Sequence, residues 1–240
     1  MTRARETPKP TLFVEGVTDS SIIRAAWSVF FPKEPVPFEV LDAGGTKQMG
    51  SLVGKGKALR ALLGDRVVFA LADNDSEGRA LIDDGHIRKG GLWRQLPNGI
   101  HWCLLKPTAD FAATMKTHEI PTANWPFTIE EAFAPALRRQ AEADGVWRFS
   151  GTPQAELLDN ADLAKRLFVL LPKLGPGDDA YWYLMAPSAE AKEAFAAWVT
   201  DPKRRTEDNY AAFEEVIRGL RDLVDRSSLS EPTIRVRGAA

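Results

Sequence analysis

Four short apolar runs punctuate the first 106 residues: "TLFVE" (11–15), "FEVLDA" (38–43), "RVVFALAD" (66–73) and "IHWCLLK" (100–106). Each is too short for a helix and carries β-branched or aromatic residues, so each reads as a buried strand. Between the first two lies "TDSSIIRAAWSVFF", where Ile22, Ile23, Ala26 and Phe30 share one helical face and Thr18 is the expected N-cap. Pro32, Pro35 and Pro37 end it. "TKQMGSLVGKGKALRALLG" also has helical character, weakened by Gly50, Gly54 and Gly56. Strands separated by helices imply right-handed crossovers and a mostly parallel sheet. The expected fold is therefore α/β: a Rossmann-like sheet of about four strands flanked by helices.

The second half changes character. "FTIEEAFAPALRRQAEA", "TPQAELLDNADLAKRLFVLL", "SAEAKEAFAAWVT" and "TEDNYAAFEEVIRGLRDLVDR" have helical periodicity, with short strands expected at "VWRFS" and "DAYWYLM". The proline-containing stretch "THEIPTANWP" (117–126) lacks periodicity and marks a boundary. Residues 1–10 then form a flexible arm, 11–120 an α/β core, and 121–240 a mainly helical region.

Composition excludes several classes. Hydrophobic residues make up 44% and charged residues 27%, as in an ordinary globular chain. The net charge of −2 gives no nucleic-acid signature for the whole chain. Local basic clusters exist, such as Lys55, Lys57 and Arg60, or Arg138 and Arg139, and each taken alone reads as a solvated helix face. The single cysteine, Cys103, permits no internal disulfide and reads as a core residue, which points to a reducing cytoplasm. No apolar run reaches membrane-spanning length, and the basic N-terminus lacks a signal-peptide core. The tryptophans, including Trp27 and Trp198 on apolar helical faces, read as core.

The third strand runs into "DNDSEG", which puts Asp73, Asp75 and Glu77 within five positions. Like charges so close raise the cost of ionising one another. The first strand also ends in an acid, Glu15, and Asp19 follows in the next helix. In open α/β sheets, sites form beyond the carboxyl ends of the strands. If the two strands are parallel neighbours, Glu15, Asp19, Asp73 and Asp75 meet at one edge. Such hard oxygen ligands suit Mg²⁺ or Mn²⁺. Asp and Glu also serve as helix and turn caps, and for Asp19 or Glu77 alone that is the better reading. If the acids serve function instead, removing Asp75's charge should leave metal-free stability unchanged or raise it.

The motifs "VEGVTD" and "LADNDSEG", with the turn "DAGGTKQM" and the segment "FTIEEAF", resemble the TOPRIM domain as carried by OLD-family nucleases. The resemblance covers roughly residues 11–133. It implies a metal-dependent endonuclease that hydrolyses nucleic-acid phosphodiesters with two divalent ions. By analogy Asp73, Asp75 and Glu130 hold one ion, and Glu15 and Asp19 the other, with Glu131 the neighbour that could be confused with Glu130. A downstream lysine stabilises the transition state; Lys165, Lys173 and Lys192 are the candidates, and Lys165 is the working assignment. Lys47, in the turn, is the candidate contact for a substrate phosphate.

OLD proteins carry an ATPase domain, and this sequence holds no G-x-x-x-x-G-K-[ST] motif; "GSLVGKGK" has the wrong spacing. A stand-alone protein working with a separately encoded ATPase, as in anti-phage defence, is the expectation. A topoisomerase would need a tyrosine nucleophile, and Tyr181, Tyr183 and Tyr210 all lie in the helical region. A haloacid-dehalogenase-type phosphatase or a response-regulator receiver needs acids on its first strand in another pattern. A degenerate TOPRIM module that only binds within an assembly is the non-enzymatic alternative.

Overall fold

The computed structural model describes residues 9–54, 64, 66–80, 92–96, 99–120, 126–154 and 161–229. Most of the expected N-terminal arm, the centre of the expected boundary, and the basic residues Lys55, Lys57 and Arg60 lie outside them.

The chain is α/β, as expected. Strands β1 (Thr11–Val14), β2 (Glu39–Asp42) and β3 (Val68–Ala72) are followed by β4 (Arg94–Gln95) and β5 (His101–Leu104). They form one sheet in the order β2-β1-β3-β5-β4. All pairings are parallel except that of β4 with β5. The edge strand β4 makes the sheet five-stranded rather than four; two residues are too few to show alternation in sequence. β1 and β3 are buried along their whole length, which is why they read as continuous apolar runs.

Helix α1 (Val17–Phe30) connects β1 to β2, and α2 (Thr46–Gly54) follows β2. The N-cap of α1 is Gly16, not Thr18: Gly16 N donates to Asp19 Oδ2 at 2.9 Å, a reach-back from the first turn. The short α3 (Ser76–Ala80) follows β3, and α4 (Ala109–Thr117) follows β5, capped by Thr108.

Beyond residue 126 come α5 (Pro135–Ala143), β6 (Phe149–Pro153), α6 (Ala161–Leu170), α7 (Asp179–Leu184), β7 (Met185–Pro187), α8 (Ala189–Val199), α9 (Glu207–Tyr210) and α10 (Glu214–Leu229). β6 and β7 pair antiparallel as a separate small sheet. The stretch expected as a strand at 179–185 is mostly helix, and only Met185 joins β7. Residues 127–134, expected to be helical, form turns instead, and the helix starts at Pro135.

These helices pack directly onto the sheet domain. The larger of two hydrophobic clusters runs from Leu12, Ile23 and Trp27 through Phe111 and Phe127 to Phe195, Ile217 and Leu220, and the smaller holds Phe13, Met49, Ala70 and Trp102. Phe133 sits edge-on to Phe195 and Tyr210. Each such buried aromatic contributes about 1.5–3 kcal/mol through the apolar area it removes from water. Among the described residues, no helix is long and apolar enough to cross a membrane.

Candidate functional site

The sheet topology brings two strand-end acids together. β1 and β3 are parallel neighbours, with Phe13 opposite Ala70, so Glu15 and Asp73 leave the sheet at the same carboxyl edge. Glu15 Oε1 accepts a hydrogen bond from Asp73 N at 2.9 Å. Asp19, in the first turn of α1, faces the same place because its carboxylate is tied to Gly16 N.

A third element closes in from far along the sequence. Asn74 and Phe127 form an isolated antiparallel bridge, Asn74 N donating to Phe127 O at 2.9 Å and Phe127 N to Asn74 O at 3.1 Å. This bridge lays the 127–131 turn against the end of β3 and places Glu130, only 3% exposed, beside the strand-end acids. Lys192, in the first turns of α8, completes the group: its Nζ is 3.4 Å from Glu130 Oε2.

The electrostatics report the crowding. Burial pushes the Asp73 carboxyl well above its ordinary pKa, and the charges of Asp19, Glu130 and Glu15 add to the shift while Lys192 opposes it. Burial and then Glu130 raise Asp19 from 3.8 to about 6. The Lys192 ammonium is held above the usual lysine range, chiefly by Glu130. Among the described residues, Lys192 is the cation that opposes the Asp73 shift, and protons or an added cation would relieve the crowding of these carboxylates.

The expected residues do not all behave alike. Glu15, Asp19, Asp73 and Glu130 come together. Asp75 is engaged locally: its Oδ1 accepts from Gly78 N at 2.6 Å and so caps α3, while the charges that raise Asp73 are Asp19, Glu130 and Glu15. Gly78 is required there, since a Cβ would lie 2.0 Å from Asp73 O. The stability expectation for Asp75 therefore reverses. Asp75→Ala should lower metal-free stability by about 1 kcal/mol through the lost cap, read as a lower melting temperature in chelator. A melting temperature equal to or above wild type would restore the charge-repulsion account.

Lys165 is not beside the acids. Its ammonium, 80% exposed, lies 3.8 Å from Asp162. With Lys173 it lines a cavity of about 450 Å³ that none of the five candidate acids lines. Among the described residues, the lysine at the site is Lys192. Lys47 is exposed in the first turn of α2, just after the Gly44–Gly45 turn, where Gly45 N donates to Glu15 O at 2.8 Å. Both glycines have positive φ (77° and 113°), a conformation that favours glycine and lets this turn fold against Glu15.

Glu130 and Glu131 are told apart by what they touch. Glu131, 1% exposed, points inward: its Oε2 accepts from Thr128 N at 2.7 Å and its Oε1 from Gln154 Nε2 at 3.0 Å. Burial raises its pKa, with Arg138 opposing. Sequence reading took Arg138 for a solvated surface residue, but it is fully buried. Its Nη1 donates to Trp182 O at 2.7 Å, and its guanidinium lies over the rings of Trp147 and Tyr183. The positions flanking it, Leu137 and Ala141, are buried on the same helix, and that spacing was the available signal.

No family model matches this chain, and neither curated proteins nor solved structures yield a match.

The donor chemistry at this edge suits a hard divalent cation: four carboxylates from three separate chain segments, near enough that they raise the pKa values of Asp19 and Asp73. As the side chains stand, no three His, Cys, Asp or Glu among the described residues are grouped closely enough to hold an ion. Glu15 is turned to Asp73 N, and Glu130 to Thr128 and Lys192. Binding an ion would draw on these same side chains, at the expense of those hydrogen bonds.

Proposed function

We propose that this protein is a metal-dependent nuclease of the TOPRIM type, acting on nucleic-acid phosphodiesters. One observation supports the reading above others: β1 and β3 are adjacent and parallel, so Glu15 and Asp73, the two acids of the TOPRIM pattern, leave the sheet side by side. Asp19 and Glu130 are the further proposed ligands for Mg²⁺ or Mn²⁺; Asp75, committed to a cap, is the weaker one. Divalent ions bound there would lower the pKa of an attacking water from ~15.7 towards neutrality and offset charge on the phosphate.

The chain's own groups have definable roles in this reading. Asp73, on which the charges of Asp19, Glu130 and Glu15 all act, is the proposed principal ligand, joined by Glu15 and Glu130. Lys192 carries three N–H donors and keeps its charge because acids surround it. Its ammonium can move from Glu130 to a phosphate oxygen and supply positive charge where negative charge develops in the transition state. Lys47 is proposed to hold a substrate phosphate at the rim. A separately encoded ATPase partner and a cytoplasmic setting belong to the same proposal.

A second reading keeps the fold and drops the chemistry: a degenerate TOPRIM module that binds within an assembly. The ion pair of Lys192 with Glu130 favours it, since an internal cation already answers one of the acids. Nicking of supercoiled plasmid and cleavage of labelled RNA separate the two. With Mg²⁺ or Mn²⁺, with and without a candidate ATPase, the purified wild type should cleave, and Glu15→Gln and Asp73→Asn should not. Cleavage that persists in both variants would point to another site. No cleavage with any metal would favour the binding module.

A further inference from the structure

The turn that carries Glu130 is held by polar groups that the proposed chemistry does not itself use. Thr128 Oγ1 lies 2.6 Å from Glu130 Oε2 and also contacts Glu131 Oε2. A hydroxyl has one proton, so it can donate to only one of the two carboxylates at a time. Glu131 has other donors. Thr128 N and Gln154 Nε2 both reach it, and Gln154 Nε2 is itself fixed by Tyr183 O at 3.0 Å. The buried Arg138 guanidinium is anchored on Trp182 O, and its charge opposes the burial shift of Glu131.

Such a network is a costly way to fill a core. Buried charges lose hydration that their pairing rarely repays in full, and apolar side chains of similar volume often do as well or better. Stability alone therefore does not account for a buried carboxylate next to Glu130 that a buried amide bonds and a buried guanidinium acts upon.

We propose that Thr128 and Glu131 are positioning residues for Glu130. Glu131, held by Gln154, accepts from Thr128 N and fixes the backbone of that residue, and the Thr128 hydroxyl fixes the Glu130 carboxylate facing Asp73 and Lys192. The proposal rests on the reading of Glu130 as a metal ligand and names what orients it. Neighbours that orient a ligand typically change metal affinity by 10–100-fold when removed.

Calorimetry with Mn²⁺ on the full chain tests it. Thr128→Val removes the hydroxyl at nearly constant volume, and Thr128→Ser retains it. Thr128→Val should bind Mn²⁺ about tenfold more weakly than wild type, and Thr128→Ser should match wild type. A merely structural threonine gives the other pattern: a lower melting temperature in Thr128→Val with unchanged affinity in the folded protein. Should Thr128→Val not fold, Gln154→Leu loosens Glu131 with Thr128 intact, and weaker Mn²⁺ binding is again the expected result. Unchanged affinity in the folded variant overturns the positioning role while leaving the metal site standing. Wild type that binds no Mn²⁺ overturns the metal-site reading itself, and the positioning role with it.

Discussion

Lys192→Met should lose nearly all cleavage and bind Mn²⁺ more tightly than wild type. The two effects have one cause. The Lys192 ammonium lies 3.4 Å from Glu130 and also acts on Glu131 and Asp73, so it competes with any cation for the same carboxylates. Removing it takes away a positive charge that competes at Glu130, Glu131 and Asp73, so the affinity for an added cation should rise. The same ammonium is the proposed donor to the phosphate. Loss of one such preorganised donor typically costs about 10²–10³ in rate. Methionine keeps the length and apolar stem of the lysine, so packing at α8 is preserved. Calorimetry with Mn²⁺ and single-turnover cleavage read the two effects separately. Weaker Mn²⁺ binding in Lys192→Met would show that the lysine orders Glu130 rather than competing for it. Unchanged cleavage would remove Lys192 from the chemistry. Lys165→Met serves as the comparison and should cleave as wild type does, since Lys165 is exposed and paired with Asp162.

Asp73→Asn should melt well above wild type in chelator near pH ~8, with the advantage shrinking as the pH falls towards ~4. The Asp73 and Asp19 carboxyls both have folded-state pKa values raised above 3.8, Asp19 to about 6. An acid whose pKa is raised by folding contributes its full stability while protonated, below the unfolded value. That contribution is lost as the pH rises through the folded value. For Asp19 the window runs from 3.8 to about 6, and a shift of that size corresponds to roughly 3 kcal/mol. Asp73 is shifted in the same direction, chiefly by burial. Asparagine has no charge to desolvate, so the variant escapes the penalty at high pH and gains nothing at low pH, where the aspartate is neutral. Thermal melts of both proteins across the range, in chelator, give the difference directly. A variant less stable than wild type at pH ~8 would mean that the Asp73 charge is satisfied in the fold and holds the loop together.

The parallel sheet was legible because β1 and β3 are buried on both faces and so appear as unbroken apolar runs. Glu15 and Asp73 were legible for the same reason. A carboxylate directly after a buried strand has its place set by the strand, and adjacency of the strands does the rest. Asp75 illustrates the opposite case. Two residues past the strand, local hydrogen bonding takes over, and its side chain closes on Gly78 N instead of joining the acids.

Glu130 was named by resemblance, and its local structure was expected to be helix where a turn is seen. The run "FTIEEAFAPAL" has helical periodicity, but the Phe127–Asn74 bridge and the Thr128–Glu131 hydrogen bonds form a turn before Pro135 can start the helix. Those partners lie more than fifty residues away or depend on the turn itself, so no local pattern carries them. The choice among Lys165, Lys173 and Lys192 likewise depends on how the second-half helices pack. One signal was present: Ala191, Phe195, Ala196 and Val199 form the buried stripe of α8, and Lys192 lies on its margin, where a long side chain can reach back to a site. Arg138 sits on a buried stripe in the same way, between Leu137 and Ala141, and reading it as a surface charge overlooked that spacing.

The claim beneath all of this is that the edge formed by β1, β3 and the 127–131 turn binds a divalent metal ion. Anomalous diffraction from crystals soaked in Mn²⁺ tests it most directly. The expected result is Mn²⁺ density within ligand reach of Glu15, Asp73 and Glu130, absent from crystals of Asp73→Asn. Mn²⁺ found only elsewhere, or an edge left without Mn²⁺ while Lys192 keeps its pairing with Glu130, would contradict it.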